Sequence, residues 1–157
     1  MLFRSMKQPE AHLYLIYQST ELLDQVRGLL SEFPDLKKSI HLLGKIPHEQ
    51  MAFWFSSAEY IIATSYAEGS GTAVCEAMSC GCIPILSDIP SFRMMTRNGA
   101  FGFLFEPGNP DGLFASMQES VHIDRSAFRD KVLERFHSML SFEAIARQIA
   151  KILTPST

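Results

Sequence analysis

Cysteine is scarce and poorly placed for cross-linking. The 157-residue chain carries three, Cys75, Cys80 and Cys82, crowded into one segment. An odd, clustered set argues against a disulfide framework and for free, buried thiols in a reducing compartment. No metal site is expected either, because structural zinc needs four ligands and the five histidines lie far away in sequence. Positive charge is thin as well. Fourteen Lys and Arg are scattered against seventeen Asp and Glu, for a net charge of -3, and no basic stripe suits a nucleic acid. Long apolar runs are missing too. The longest uncharged stretch, Ala77 to Ser87, is too short to span a bilayer and is interrupted by Gly81 and Pro84. Met1-Leu2-Phe3-Arg4 lacks the basic start and long apolar core of a signal peptide. These absences point to a cytoplasmic protein with no transmembrane segment. No internal repeat, low-complexity tract or long linker divides it.

What is present is an apolar content of 46%, enough for a proper core in a single domain over residues 1–157. Met1 to Gln8 reads as the last turns of a helix ended by Pro9. His12 to Tyr17 is a near-continuous apolar run, the mark of a buried parallel strand. Ser19 or Thr20 is expected to cap a helix through Leu22, Leu23, Val26, Leu29 and Leu30, closed by Pro34. A second strand covers Ser39 to Leu43 and stops at Gly44. Pro47 opens an expected amphipathic helix through Met51, Phe53, Trp54 and Phe55. Tyr60 to Thr64 is a third strand and Cys82 to Leu86 a fourth, with Pro84 placed near its start or on an unpaired side. Ser91 to Thr96 forms a short helix, and Phe101 to Phe105 a fifth strand.

Asn109-Pro110 caps and starts a helix through Leu113, Met117 and Val121. Another helix carries Phe128, Val132, Phe136 and Met139. Ser141 caps the last, with Ile145, Ile149 and Leu153 expected inward and Leu140 and Ile145 at staple positions. Strands alternating with helices through short connections predict an α/β, Rossmann-like doubly wound parallel sheet. Such sheets bind ligands where a strand's carboxyl end passes into a helix.

One stretch meets that description with chemistry attached: Ser65 to Gly81, a strand exit, a Gly-Ser-Gly loop and a helix, with Glu68 and Glu76 on either side. Gly69 and Gly71 are expected to allow positive φ and close approach of a ligand. The helix starting near Gly71 or Thr72 offers unpaired N–H groups and a positive dipole end, suited to a phosphate or diphosphate. Ser70 and Thr72 add hydroxyls. Glu76 lies about one turn into an otherwise apolar helix. Helical side chains lean toward the N-terminus, so it reaches back toward the loop. There it either accepts hydrogen bonds from a diol such as ribose or is a structural carboxylate satisfied by protein groups. Glu68, before the glycines, either contacts a second polar group of the ligand or is a solvated loop acid. Two carboxylates also admit paired acid/base hydrolysis, against which the phosphate-type loop between them argues.

These residues resemble a known family. Glu68-Gly69-x-Gly71 followed by Glu76-Ala77-Met78-x-Cys80-Gly81 is similar to the E-x7-E region of retaining, nucleotide-sugar-dependent glycosyltransferases of the two-Rossmann-domain GT-B fold. Leu42-Leu43-Gly44, Tyr60 to Ser65, Gly102 to Pro110 and Phe142 to Leu153 resemble other segments of that family in the same order. The resemblance implies the C-terminal, donor-binding half of a hexosyltransferase, with no cofactor beyond the nucleotide-sugar donor. It implies that Glu68 is the catalytic residue, contacting the donor sugar's hydroxyls near its anomeric carbon, and that Glu76 binds the ribose hydroxyls. Gly69, Ser70, Gly71 and Thr72 would hold sugar and diphosphate, and Lys45 and Ile46 would lie near the nucleobase. A sugar or lipid-linked acceptor would be bound through an N-terminal domain that this chain lacks, and the whole enzyme could be membrane-peripheral.

Three departures stand out. Ser70 replaces a usual aromatic. Ile89-Pro90-Ser91-Phe92-Arg93 replaces a Gly-Gly-x-x-Glu loop. The domain's first strand and the Arg/Lys pair near it, which neutralises the diphosphate, are expected to be absent, with Arg4 and Lys7 not taking that role. Other readings of the same fold are an epimerase or phosphorylase-like fragment, or a non-catalytic binding or interaction module.

Overall fold

The computed structural model describes residues 11–154. The expected helix over Met1 to Gln8, with Arg4 and Lys7, lies outside the described residues. The chain forms two compact units that divide between Met51 and Ala52.

In the first unit, β1 (Leu13–Ile16) pairs in parallel with β2 (Ile40–Gly44), with Leu15 opposite Leu42. Between them run α1 (Leu23–Glu32) and a 3₁₀ turn, Pro34–Lys38. The expected cap at Ser19 or Thr20 is not made. Leu22 occupies the cap position with no side-chain hydrogen bond, and Ser19 Oγ accepts weakly from the Glu21 N–H at 3.4 Å. The chain enters the helix two to three residues later than those hydroxyls require. Of the expected apolar face Leu30 is buried, while Leu22 and Leu29 stay exposed. An apolar cleft of ≈ 270 Å³ lies among Leu13, Leu15, Val26, Leu30, Phe33 and Ile40. With no charged or hydrogen-bonding side chain in its lining, it is a packing gap and not an anion site.

The division falls inside α2 (His48–Ser57). The expected amphipathic face is not buried as a set: Phe55 is buried and Phe53 is 73% exposed. Three consecutive aromatics spread over more than half a helical turn and cannot all face one way.

The second unit holds the three-stranded parallel sheet β3 (Tyr60–Ala63), β4 (Ile83–Ser87) and β5 (Phe103–Phe105), in the order β3-β4-β5. Ile85 is opposite Ile62 on one side and Phe103 on the other. β4 is buried throughout, as a central parallel strand must be. Pro84 sits where expected. Ile83 N–H donates to the Glu59 carbonyl on the β3 side, so alternation turns the Pro84 nitrogen toward β5, where pairing begins only at Ile85. Instead of one continuous ladder, the five strands of the described residues form two separate ones, β1-β2 and β3-β4-β5.

Helices cover both faces of the second sheet. On one, Leu86 packs with Val74 and Met78 of α3 (Thr72–Ser79), Phe92 and Met95 of α4 (Pro90–Thr96) and Val132 of α6 (Arg125–Arg135). On the other, Ile83, Ile85, Phe103 and Phe105 pack with Leu113 and Met117 of α5 (Pro110–Ser120). The strand period of two sorts β4 residues between these cores. Asn109 caps α5, accepting from Gly112 N–H at 2.9 Å, and Ser141 caps α7 (Phe142–Leu153), accepting from Ala144 N–H at 3.2 Å.

α7 corrects the expectation that Ile145, Ile149 and Leu153 face inward. Ala144 is the buried residue, while Phe142, Ile145, Ile149, Ile152 and Leu153 are exposed. Arg147 and Gln148 donate to the His137 and Met139 carbonyls of the π-helical turn Phe136–Leu140. These bonds and small Ala144 set the contacting side, leaving the larger apolar stripe outward. The Leu140–Ile145 staple is not closed over, since Ile145 is 43% exposed.

Candidate functional site

β3 delivers the chain to its carboxyl end at Ala63, and the Glu68–Thr72 loop follows directly into α3. Gly71 is the N-cap, at φ 58° and ψ 40°, with no side-chain cap. That left-handed conformation suits glycine. A Cβ there would meet Met95 Cε and Phe92 Cε1, each at 3.0 Å. Gly71 is therefore both the turning point of the loop and the place where α4 backs it. Gly69 departs from expectation, since the left-handed glycines do not include it and open space surrounds it. The turn needs one glycine, not two. Because no side chain caps α3, its first-turn N–H groups are left to water or to an anion.

The two acids have different surroundings. Glu68 is exposed, and its Oε1 accepts from Ser65 Oγ at 3.0 Å. The Ser65 carbonyl accepts in turn from the fully buried Ser87 Oγ at 2.5 Å. A chain of hydrogen bonds thus runs from the end of β4 to the Glu68 carboxylate. Glu76 is half-buried on α3, four residues after Thr72 and so on the same side of the helix. Ser70 and Thr72 hydroxyls pair with each other at 2.9 Å, which ties the loop to the first residue of the helix. Lys45 and Ile46 follow β2 in the other unit, Lys45 exposed and Ile46 half-buried.

The far end of α3 is closed at a glycine. Gly81, at φ 83°, follows the C-cap Cys80. Its N–H donates to the Met78 carbonyl at 3.0 Å and the Cys82 N–H to the Ala77 carbonyl at 3.0 Å, a Schellman closure. Arg129 adds a tertiary cap, donating to the Cys80 and Gly81 carbonyls. All three cysteines are free thiols. Burial, then neighbouring Cys80, pushes the Cys82 thiol up to about 11, so it is packing material and not a nucleophile. Among the described residues no cluster of three or more His, Cys, Asp or Glu gathers to hold a metal, and no helix is long and apolar enough to cross a membrane.

Several residues at this end of the sheet escaped sequence reasoning. Ser87 and Ser65 carry no motif. Arg93 forms a fork with Asp88 just past β4, with Nη2 to Oδ2 at 2.7 Å and Nε to Oδ1 as the second bond. Only the i, i+5 spacing of opposite charges hinted at it. The Arg93 hydrogen bonds hold the Asp88 carboxyl below its ordinary value of 3.8, against a smaller opposing effect of burial. A lowered folded-state value means the pair stabilises the fold above the unfolded-state value and loses that contribution as pH falls through the folded one. Melting temperature measured from pH 5 down to pH 3 should therefore drop more steeply in the wild type than in Asp88→Asn, with a modest difference because Arg93 is exposed to solvent and Asp88 partly so. Ser91 Oγ, in the first turn of α4, is buried without a partner in the described structure.

A parallel α/β unit with a glycine-turned, uncapped helix start at a strand's carboxyl end is a Rossmann-like arrangement. The family model for glycosyl transferases, group 1, matches residues 12–134, and the chain belongs to that family. It is 40% identical over 65 residues to the GDP-mannose:cellobiosyl-diphosphopolyprenol alpha-mannosyltransferase of Xanthomonas campestris, covering 41% of this chain and 17% of that protein. It is 29% identical over 85 residues to O-antigen chain mannosyltransferase B of Escherichia coli, covering 54% and 22%. The chain thus spans less than a quarter of the length of these relatives. Among solved structures, sucrose-phosphate synthase of Thermosynechococcus elongatus superposes with a TM-score of 0.77 at 24% identity, over 97% of this chain and 40% of that one. HepE of Anabaena, solved in complex with UDP and glucose, gives 0.74 at 20% identity, over 92% and 41%. At these identities the likeness is one of fold, the Rossmann-like half of a GT-B enzyme.

Proposed function

We propose that this chain is the donor-binding region of a retaining hexosyltransferase that moves a sugar from a nucleoside diphosphate sugar to a sugar or lipid-linked acceptor. The observation that carries the proposal is the uncapped start of α3 at left-handed Gly71, with a carboxylate on each side, in a chain of the group 1 family. The diphosphate lies on the loop and helix N–H groups from Gly69 to Thr72. Glu76 accepts hydrogen bonds from the ribose hydroxyls. Glu68, oriented by Ser65, meets the hydroxyls of the sugar beside its anomeric carbon. The mannosyltransferase relatives support a GDP-sugar and the UDP complex of HepE a UDP-sugar as first probes. The donor is a substrate, and no further cofactor enters the reaction. The parent enzyme works in the cytoplasm, peripheral to the membrane when its acceptor is a lipid.

Among the described residues, 11–154, no strand joins the two ladders. A doubly wound sheet of order 3-2-1-4-5-6, given strands two to six alone, leaves two ladders, 3-2 and 4-5-6. The observed β2-β1 and β3-β4-β5 ladders match that pattern. Leaving-group departure needs positive charge on the diphosphate and a cleft that excludes water. Arg93 is already engaged by Asp88. The matched segment covers less than a quarter of the mannosyltransferase relatives, so the remaining length of a parent enzyme is the proposed source of further cations and of the acceptor site, and the chain alone is expected to bind nucleotide weakly and transfer no sugar.

A ligand-observed NMR screen of UDP-, GDP- and ADP-sugars against the chain and Glu76→Ala tests this. A carboxylate bonded to a diol is worth enough that its loss should weaken binding by about ten- to a hundred-fold. Equal binding by both proteins would remove Glu76 from the site, and robust transfer by the chain alone would overturn the division of labour.

A further inference from the structure

Tyr66 is 76% exposed, yet its tip is not loose. A Cβ on Gly108 would lie 2.6 Å from the Tyr66 hydroxyl and 3.2 Å from its Cε1, so one edge of the ring rests on the bare backbone of that glycine. Gly108 itself is held at φ 78°. It lies in a turn closed by Asn109 N–H donating to the Glu106 carbonyl at 3.1 Å and by Asn109 Oδ1 accepting from Gly112 N–H at 2.9 Å. Tyr66 follows β3 and Gly108 follows β5, and β4 lies between those strands. Adjacent strands sit about 4.8 Å apart. The side chain therefore reaches across the carboxyl end of β4, the edge of the sheet where such folds take their ligands. Its edge is fixed on a rigid turn and most of its surface is open to solvent.

We propose that Tyr66 is a stacking platform for a pyranose ring, and hence a specificity-determining residue of this site. The inference rests on the glycosyltransferase reading above. A sugar presents an apolar C–H face and a rim of hydroxyls. The electron-rich face of an aromatic ring complements the first, and the Ser65-held carboxylate of Glu68, two residues further along the loop, complements the second. The sequence also provides no aromatic inside the glycine loop, where Ser70 stands, so Tyr66 is the loop's one large apolar surface for a sugar. The nucleotide is held on the other side of Glu68, by the start of α3, and does not need Tyr66.

The test compares the 157-residue chain with Tyr66→Ala and Tyr66→Phe by ligand-observed NMR, using UDP, GDP, UDP-glucose, GDP-mannose and the methyl α-glycosides of glucose and mannose. Tyr66→Ala should weaken the matching nucleotide-sugar about five-fold or more, leave the bare nucleoside diphosphate within about two-fold, and keep the wild-type melting temperature. Tyr66→Phe should retain binding. Loss confined to nucleotide-sugars assigns the platform to the donor sugar, and loss of free glycoside binding assigns it to an acceptor sugar. Unchanged sugar binding in Tyr66→Ala, or equal loss of nucleotide and nucleotide-sugar, overturns the platform and leaves the proposed function standing. Failure of every probe to bind the wild type overturns both.

Discussion

Phe92→Ala is expected to destabilise the fold by about 3–5 kcal/mol, the cost of emptying a buried aromatic site that cannot collapse. Phe92 is fully buried in the core shared by Val74, Met78, Leu86, Ile89, Met95 and Val132. Those neighbours come from α3, β4, α4 with its N-cap Ile89, and α6, and elements tied together so broadly relax little into a hole. The same ring stands 3.0 Å from where a Gly71 Cβ would be, so its loss also removes the backing of the loop. Chemical denaturation should show the drop in stability. Phe92→Leu, which keeps most of the volume, should recover much of it. A Phe92→Ala protein that unfolds within about 1 kcal/mol of wild type would mean that α4 does not support the loop.

Gly102→Ala should cost about 3 kcal/mol, at the upper end of what overpacking produces. Gly102 is buried where β5 begins beside β4. An added Cβ would lie 2.7 Å from Pro84 Cγ, 2.8 Å from the Pro84 carbonyl oxygen and 3.2 Å from Thr96 Cγ2. Two of those atoms belong to a rigid ring and a central strand, so the neighbour cannot rotate away. Relief requires β5 to move off β4, which also shifts the turn carrying Gly108. Thermal unfolding measures the loss. A stable Gly102→Ala protein would show that the close packing of Gly102 on Pro84 is not required.

Much of this was legible in local sequence because the signals are local. Asn109, Ser141 and Gly81 mark helix ends through backbone groups within three residues, and apolar runs bounded by Gly or Pro mark buried parallel strands. The loop between Glu68 and Glu76 stood out for the same reason. What local signals could not give was which face of an element meets a partner. In α7 the five largest apolar residues are exposed while Ala144 is buried. Periodicity finds a stripe but not what it faces. α2 misled in a similar way, since consecutive aromatics raise apolar content without defining a face. The Ser87–Ser65–Glu68 chain, the Arg129 cap and the contact of Tyr66 with Gly108 join residues 22, 48 and 42 positions apart or more, and no pattern along the chain announces such pairs. The split into two ladders was not legible, because strand order is a property of the whole sheet.

The central claim is that the loop and first turn of α3 hold a nucleoside diphosphate. It is tested most directly by backbone amide shifts of the ¹⁵N-labelled chain titrated with UDP, GDP and ADP. The account predicts that, with at least one of them, the largest shifts cluster at Gly69, Gly71, Thr72 and Ala73 and follow a single saturating curve. A nucleotide that shifts amides elsewhere while leaving these four unmoved would contradict it.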